Sequence, residues 1–236
     1  MHRLNKAVRP RSAGVILAGA ALALVGCASV PTGERPRDDA TSNVEVAETP
    51  TVETRERSRA EMPLIAADEG GFTITEQIRI SGEARDAYAL AVQSLEQGRY
   101  EQGIAELLQV IELAPNVVAP QIDLGMAYVE TGDLEAAEAA LSEALELAPD
   151  HPIANNELGI VYRKTGRFQE ARASYERALA IQPAFHHARL NLGILCDLYL
   201  ADLQCALENY EAYLESVVED DEVSIWVADI RGRLNM

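Results

Sequence analysis

The chain has 236 residues, with 38 acidic and 20 basic side chains, three cysteines and 12 aromatic residues, which is room for one modest domain and additional segments. Four of the bases (Arg3, Lys6, Arg9, Arg11) lie ahead of position 27, and beyond it 16 bases face 38 acids, a formal charge of −22. A surface that acidic is repelled by nucleic acid and by anionic lipid headgroups, which excludes both as natural binding partners.

Residues 1–26 read as a leader: a basic start, then a largely apolar run from Ala13 to Val25. At about 13 residues the run is short of the roughly 20 that a spanning helix needs, so it reads as a secretory signal. It stops at Leu24-Val25-Gly26-Cys27, which resembles the lipobox of bacterial lipoproteins. That resemblance implies a cleaved leader, Cys27 as the first mature residue, and membrane attachment through acyl chains on it; several such chains anchor stably where one is marginal. The next residue is Ala28. Enterobacterial lipoproteins retained in the inner membrane tend to carry aspartate there, so the resemblance points to the outer membrane, facing the periplasm.

From Cys27 to Gly71 no apolar periodicity is sustained, and Pro, Thr, Glu, Arg and Ala dominate. Such a stretch cannot bury enough apolar surface to offset its ordering entropy and is expected to be a disordered tether. Fully stretched it reaches about 160 Å, and its typical span is about 40 Å. Over 72–83, Phe72, Ile74, Ile78 and Ile80 fall at even positions, which predicts an extended arm against the first helix.

Self-similarity begins beyond the arm. Leu90, Leu124, Leu158 and Leu192 recur every 34 residues, each followed by Ala91, Gly125, Gly159 or Gly193. Gly98, Gly132 and Gly166 keep the same period, as do Tyr100, Leu134 and Phe168, then Gly103, Ala137 and Ala171, then Pro115, Pro149 and Pro183. This predicts two amphipathic helices per unit: glycine in the left-handed region ends the first, small residues let the pair approach, and proline ends the second. The period and pattern resemble the tetratricopeptide repeat (TPR). The expected fold is therefore an all-α TPR solenoid with units at 84–117, 118–151, 152–185 and 186–216, since one unit alone cannot cover its apolar face.

The fourth unit diverges. Its turn reads Tyr199-Leu200-Ala201-Asp202, without the glycine, and Leu203, Ala206, Tyr210 and Tyr213 fall one residue late, so one residue is inserted. Over 217–236, Asp220-Asp221 caps a last helix whose Val223, Trp226, Val227, Ile230 and Leu234 share a face, as in a capping helix. Cys196 and Cys205 are a candidate disulfide in an oxidising compartment. If the insertion is absorbed before Leu203, Cys205 is nineteenth in the pattern and points partly aside. If it is absorbed later, Cys205 is twentieth and faces Cys196, the register that more readily meets the Cα spacing a bridge requires. Two buried thiols are the other reading.

No enzyme is expected, and no cofactor: the chain shows no Gly-rich phosphate loop, nucleophile elbow or histidine pair at metal-ligand spacing on one helix face. His151 falls in a loop, and His186-His187 are adjacent on a helix and point to different faces. A zinc site from one of them with Cys196 and Cys205 is the metal alternative. Glu135, Glu138, Glu143 and Glu146 read as a solvated helix face.

By the TPR resemblance, the second, fifth, ninth, twelfth and thirteenth positions of each first helix line a concave surface. Carried over, these include Tyr88 and Val92; Ile122, Met126 and Val129; Asn156, Ile160, Arg163 and Lys164; and Leu190 and Ile194. Such an apolar row suits a peptide or helix of a protein partner; equally, the 72–80 arm or the capping helix covers it. The Lys and Asn clamp by which one TPR class holds chaperone tails is missing, with Tyr88, Val92 and Asp123 in the relevant places. Residues 118–151 hold eight acids and no base, whereas 152–185 hold five bases and three acids. That boundary either orients a dipolar partner or reflects Arg–Glu pairs bridging neighbouring units, with Arg163 and Lys164 as exceptions. Lipobox and repeats together resemble the pilotin-like lipoproteins of type IV pilus assembly, which implies a scaffold in the cell envelope. An accessory of a TonB and proton-channel transport system and a guide for a peptidoglycan enzyme are the alternatives.

Overall fold

The computed structural model describes residues 64–68, 71–75, 80–217 and 220–235. The leader, Cys27 and most of the expected tether lie outside them. A β-hairpin of β1 (Leu64–Asp68) and β2 (Gly71–Thr75) precedes eight helices that pair in sequence: α1 (Gly82–Glu96) with α2 (Tyr100–Leu113), α3 (Val118–Thr131) with α4 (Leu134–Leu147), α5 (Pro152–Lys164) with α6 (Phe168–Ile181), and α7 (His186–Leu195) with α8 (Leu203–Ser216). A ninth, α9 (Asp221–Arg233), packs on α8. Each second helix also packs against the first helix of the next pair, so the pairs stack as the expected solenoid. No described helix is long and apolar enough to cross a membrane.

Local chemistry sets the helix ends. Gly98, Gly132 and Gly166 have φ of 72°, 87° and 81°, and the N–H that follows each bonds five residues back, as from Arg99 to Ser94 and from Asp133 to Tyr128. The second helices stop two residues before proline: Ala114, Ala148 and Gln182, each directly before one, have φ between −145° and −130°, outside the helical region. Within a pair, contact is close enough that a Cβ on Gly159 would sit 2.5 Å from the Tyr175 ring.

Two expectations change. Leu64–Asp68, read as the end of the tether, is a strand antiparallel to β2 in the register Leu64↔Thr75 to Asp68↔Gly71, so the arm is half of a hairpin. The apolar run Leu64-Ile65-Ala66-Ala67 and the two-residue gap before Gly71 supply the strand and its reversal. Helix α1 then starts inside the expected arm, capped by Ser81, whose Oγ accepts from the Ala84 N–H at 3.0 Å.

In the fourth unit the insertion becomes a π-helical segment, Cys196–Leu200, closed by Ala201 in the left-handed region at φ 53°. The Asp202 N–H bonds the Cys196 carbonyl at 2.9 Å, six residues back where the other units span five. The extra residue is thus taken up before α8 begins.

The core runs from the second unit to α9, where Val223, Trp226, Val227 and Ile230 are buried and Trp226 lies 5.4 Å from the Tyr210 ring. Leu90 shows the solenoid's open end: it is 49% exposed, whereas its equivalents Leu124, Leu158 and Leu192 are 4–7% exposed beneath the preceding unit.

Candidate protein-binding face

The first helices α1, α3, α5 and α7 lie side by side and carry the residues expected to line a groove. The apolar row they form is packed rather than open. Tyr88, Ile122, Val129, Ile160, Leu190 and Ile194 are buried, Val92 and Met126 half-buried, and Ile74 of β2 is 1% exposed within the same cluster as Ile122, Ile160, Leu190 and Ile194. A row this apolar is satisfied by burial, and the hairpin side chain takes part in it. Of the residues expected in the groove, Lys164 is exposed, while Asn156 and Arg163 are buried.

Polar contacts on this face follow an offset the repeat alone does not suggest, joining the fifth position of one unit to the sixth of the next. Tyr88 Oη donates to Asp123 Oδ2 at 2.6 Å, and Asn191 Nδ2 donates to Asn156 Oδ1 at 3.0 Å, each pair 35 residues apart. Asn156 Nδ2 in turn donates to Glu157 Oε1 at 3.0 Å. Burial pushes the Asp123 carboxyl up to about 6 against the opposing pull of the Tyr88 hydrogen bond. Arg163 Nη1 donates to Tyr199 Oη at 3.4 Å. Tyr199 and Asn191 were not among the expected site residues, whereas Ile74 belongs to the arm that was one expected cover of the row; a spacing of one period plus one marks Asn191, and nothing periodic marks Tyr199.

The capping helix reaches this face as well, since Arg233 Nη1 lies 3.2 Å from Asp197 Oδ1. The charge boundary consists largely of bridges between units: Arg167 reaches Glu138 at 2.8 Å, Arg177 reaches Asp150 at 3.1 Å and Arg172 reaches Asp202 at 3.3 Å. Partly exposed pairs of this kind contribute little net stability. Arg163 and Lys164 hold no described carboxylate.

Cys196 and Cys205 form a disulfide with their Cα atoms 5.9 Å apart. The bridge forms in the register expected to disfavour it, with the insertion absorbed before Leu203. The π-helical segment explains this, because it begins at Cys196 and packs against α8. The zinc alternative does not fit: the two sulfurs are bonded to each other, and the donor group around them includes Asp202 and no histidine. His186 and His187, expected on different faces, instead lie with their tilted rings 4.1 Å apart between centres, and burial lowers the His187 imidazole to about 4.

Residues 122–195 match the tetratricopeptide repeat family. No curated protein is significantly similar to the sequence. Among solved structures, MamA from Desulfovibrio magneticus RS-1, from its residue 41 onward, is 21% identical, with 66% of this chain and 88% of that one covered and a TM-score of 0.59. PilF from Pseudomonas aeruginosa is 23% identical over 65% of this chain and 70% of that one, also at 0.59. A thermophilic TPR protein from Thermus thermophilus is 25% identical over 62% and 80%, at 0.55. With the 34-residue period, the glycine-turned helix pairs and these shared architectures, the chain folds as a TPR-like helical solenoid, of which residues 122–195 match the tetratricopeptide repeat family, a fold that serves as a scaffold for protein–protein interaction.

Proposed function

We propose that this protein is a non-catalytic scaffold of the bacterial envelope: an outer-membrane lipoprotein, held by acyl chains on Cys27, whose TPR stack faces the periplasm and binds a protein partner within an assembly of pilus or secretion type. The observation that carries the reading is the stack, in which four first helices combine into one continuous face. Val92, Met126 and Lys164 reach the surface there beside the buried row. The location rests on the lipobox resemblance at Leu24-Val25-Gly26-Cys27 and on Ala28. The likeness to PilF agrees with the resemblance to pilotin-like lipoproteins.

Replacing Cys27 by Ser is expected to release the protein into the soluble periplasm or leave an unprocessed precursor, read by cell fractionation and palmitate labelling. Mature protein that stays on the membrane without a lipid would overturn the anchor. A photo-crosslinking residue in place of Lys164, in the native cell, is expected to give a discrete adduct with a component of an envelope assembly. Adducts confined to the chain itself would overturn the partner reading.

A further inference from the structure

Arg163, near the end of α5, is 7% exposed. A guanidinium stays charged at any pH the protein meets, and burying one without a counter-charge is costly. The other arginines of its unit do not face that cost, because Arg167, Arg172 and Arg177 all hold carboxylates. Arg163 has no described carboxylate within ion-pair distance, and its Nε, closed off from solvent, has no hydrogen-bond partner. Its contacts are phenolic. Nη1 reaches the Tyr199 hydroxyl at a long 3.4 Å, and the guanidinium carbon lies 5.8 Å from the centre of that ring.

Tyr175, on α6, is the second anomaly. Its hydroxyl is buried without a hydrogen-bond partner and lies within electrostatic reach of the guanidinium. Glu157 is the acidic group that reaches Tyr175, and its Oε1 is held by the Asn156 amide. The Arg163 N–H donors therefore lie among phenol hydroxyls with no described carboxylate at ion-pair distance, next to the exposed ammonium of Lys164.

We infer that Arg163, with Tyr175, Tyr199 and Lys164 around it, is a site for a carboxylate of the bound partner. Carboxylate oxygens make charge-assisted bonds of about 2.7–2.9 Å to a guanidinium, often two at once, whereas the Tyr199 hydroxyl at its present distance is a weak acceptor and easily displaced. Tyr199 is half-buried, and its ring rests 4.9 Å from that of Phe168. The inference rests on the reading of this face as the partner-binding one and adds the chemistry it selects.

The test uses full-length protein in mild detergent with 15N-labelled arginine, and follows the Arg163 Nε–H resonance, assigned by its loss in Arg163→Met. Three blocked tripeptides are the probes: one with a central glutamate and an amidated end, one with a central glutamine and a free C-terminal carboxylate, and one with glutamine and an amidated end. A saturable shift with the first or second, absent with the third and with sodium chloride at matched ionic strength, is expected; the stronger of the two identifies a side-chain or a terminal carboxylate as the source. Arg163→Lys is expected to weaken the response of the neighbouring tyrosine rings at least tenfold while retaining the charge, and it carries the comparison if Arg163→Met does not fold. No saturable shift, or an equal one with chloride, would overturn the site. A partner captured in the cell with no carboxylate response would overturn this inference and leave the scaffold reading standing, whereas a response with no captured partner would do the reverse.

Discussion

Asp123 shows how a single contact on this face responds to pH. The Tyr88 hydroxyl bonds it at 2.6 Å, yet burial lifts its carboxyl to about 6 from 3.8. The folded protein thus holds this proton more tightly than the unfolded chain does. The group's contribution is most favourable below about pH 4 and is lost as pH rises through 6. A shift of that size corresponds to about 3 kcal/mol, and a side chain that keeps part of its surface in water realises less, about 1–2 kcal/mol. Asp123→Asn retains an acceptor for Tyr88 and removes the charge. It is expected to raise stability at pH 7 by about that amount and to leave it unchanged at pH 3.5, measured by urea unfolding at both values. An equal effect at the two pH values would show that charge is not the cause. The pair itself was hidden from a reading of the repeat because it joins different positions of neighbouring units, so the 34-residue period places each residue without revealing that they meet.

Among the elements, those that obey the period were legible in the sequence and those that break it were only partly so. Three turns carry glycine at one spacing and three second helices end before proline, and the structure builds each from those residues. The insertion in the fourth unit was equally visible, but sequence offers no rule for how a helix pair disposes of an extra residue. Here the last turn of α7 widens into a π-helical segment and Ala201 takes the place of glycine at φ 53°. That solution made the bridge possible in the register that helix geometry alone disfavours. The hairpin was missed for another reason: its strands are only five residues each, and the polar sequence before Leu64 masks the apolar run that follows. Closing a loop with a sequence separation of nine residues, the Cys196–Cys205 bridge is expected to contribute about 2–3 kcal/mol through the entropy of the unfolded chain. The Cys196→Ser, Cys205→Ser double variant should therefore melt about 5–10 °C lower than the oxidised protein. Reduction should bring the parent down to a similar value, and a melting temperature unchanged by reduction would show that the π-helical segment holds the fourth unit without the bridge.

At the scale of the whole molecule, a solenoid's stability is roughly a sum over units and the interfaces between neighbours, so what lies across several units matters more than what caps one of them. The buried row on the first helices spans the second to fourth units, and Ile74 belongs to the same cluster although it lies in a hairpin outside the repeats. A fragment of residues 81–236 keeps every helix pair and α9, and is expected to fold as a soluble helical protein. It loses Ile74, whose removal from a buried site costs roughly 2–5 kcal/mol by the standard of large-to-small core substitutions, and it exposes apolar surface that water does not stabilise. Compared with residues 64–236, the fragment should unfold at lower urea concentration and bind a hydrophobic dye in its folded state. In the longer chain, Ile74→Ser should reproduce most of the loss in stability, which separates the side chain from the rest of the hairpin. Equal midpoints for all three would mean that the row is closed by the helices alone, while an aggregated fragment would place the hairpin within the core the solenoid needs in order to fold.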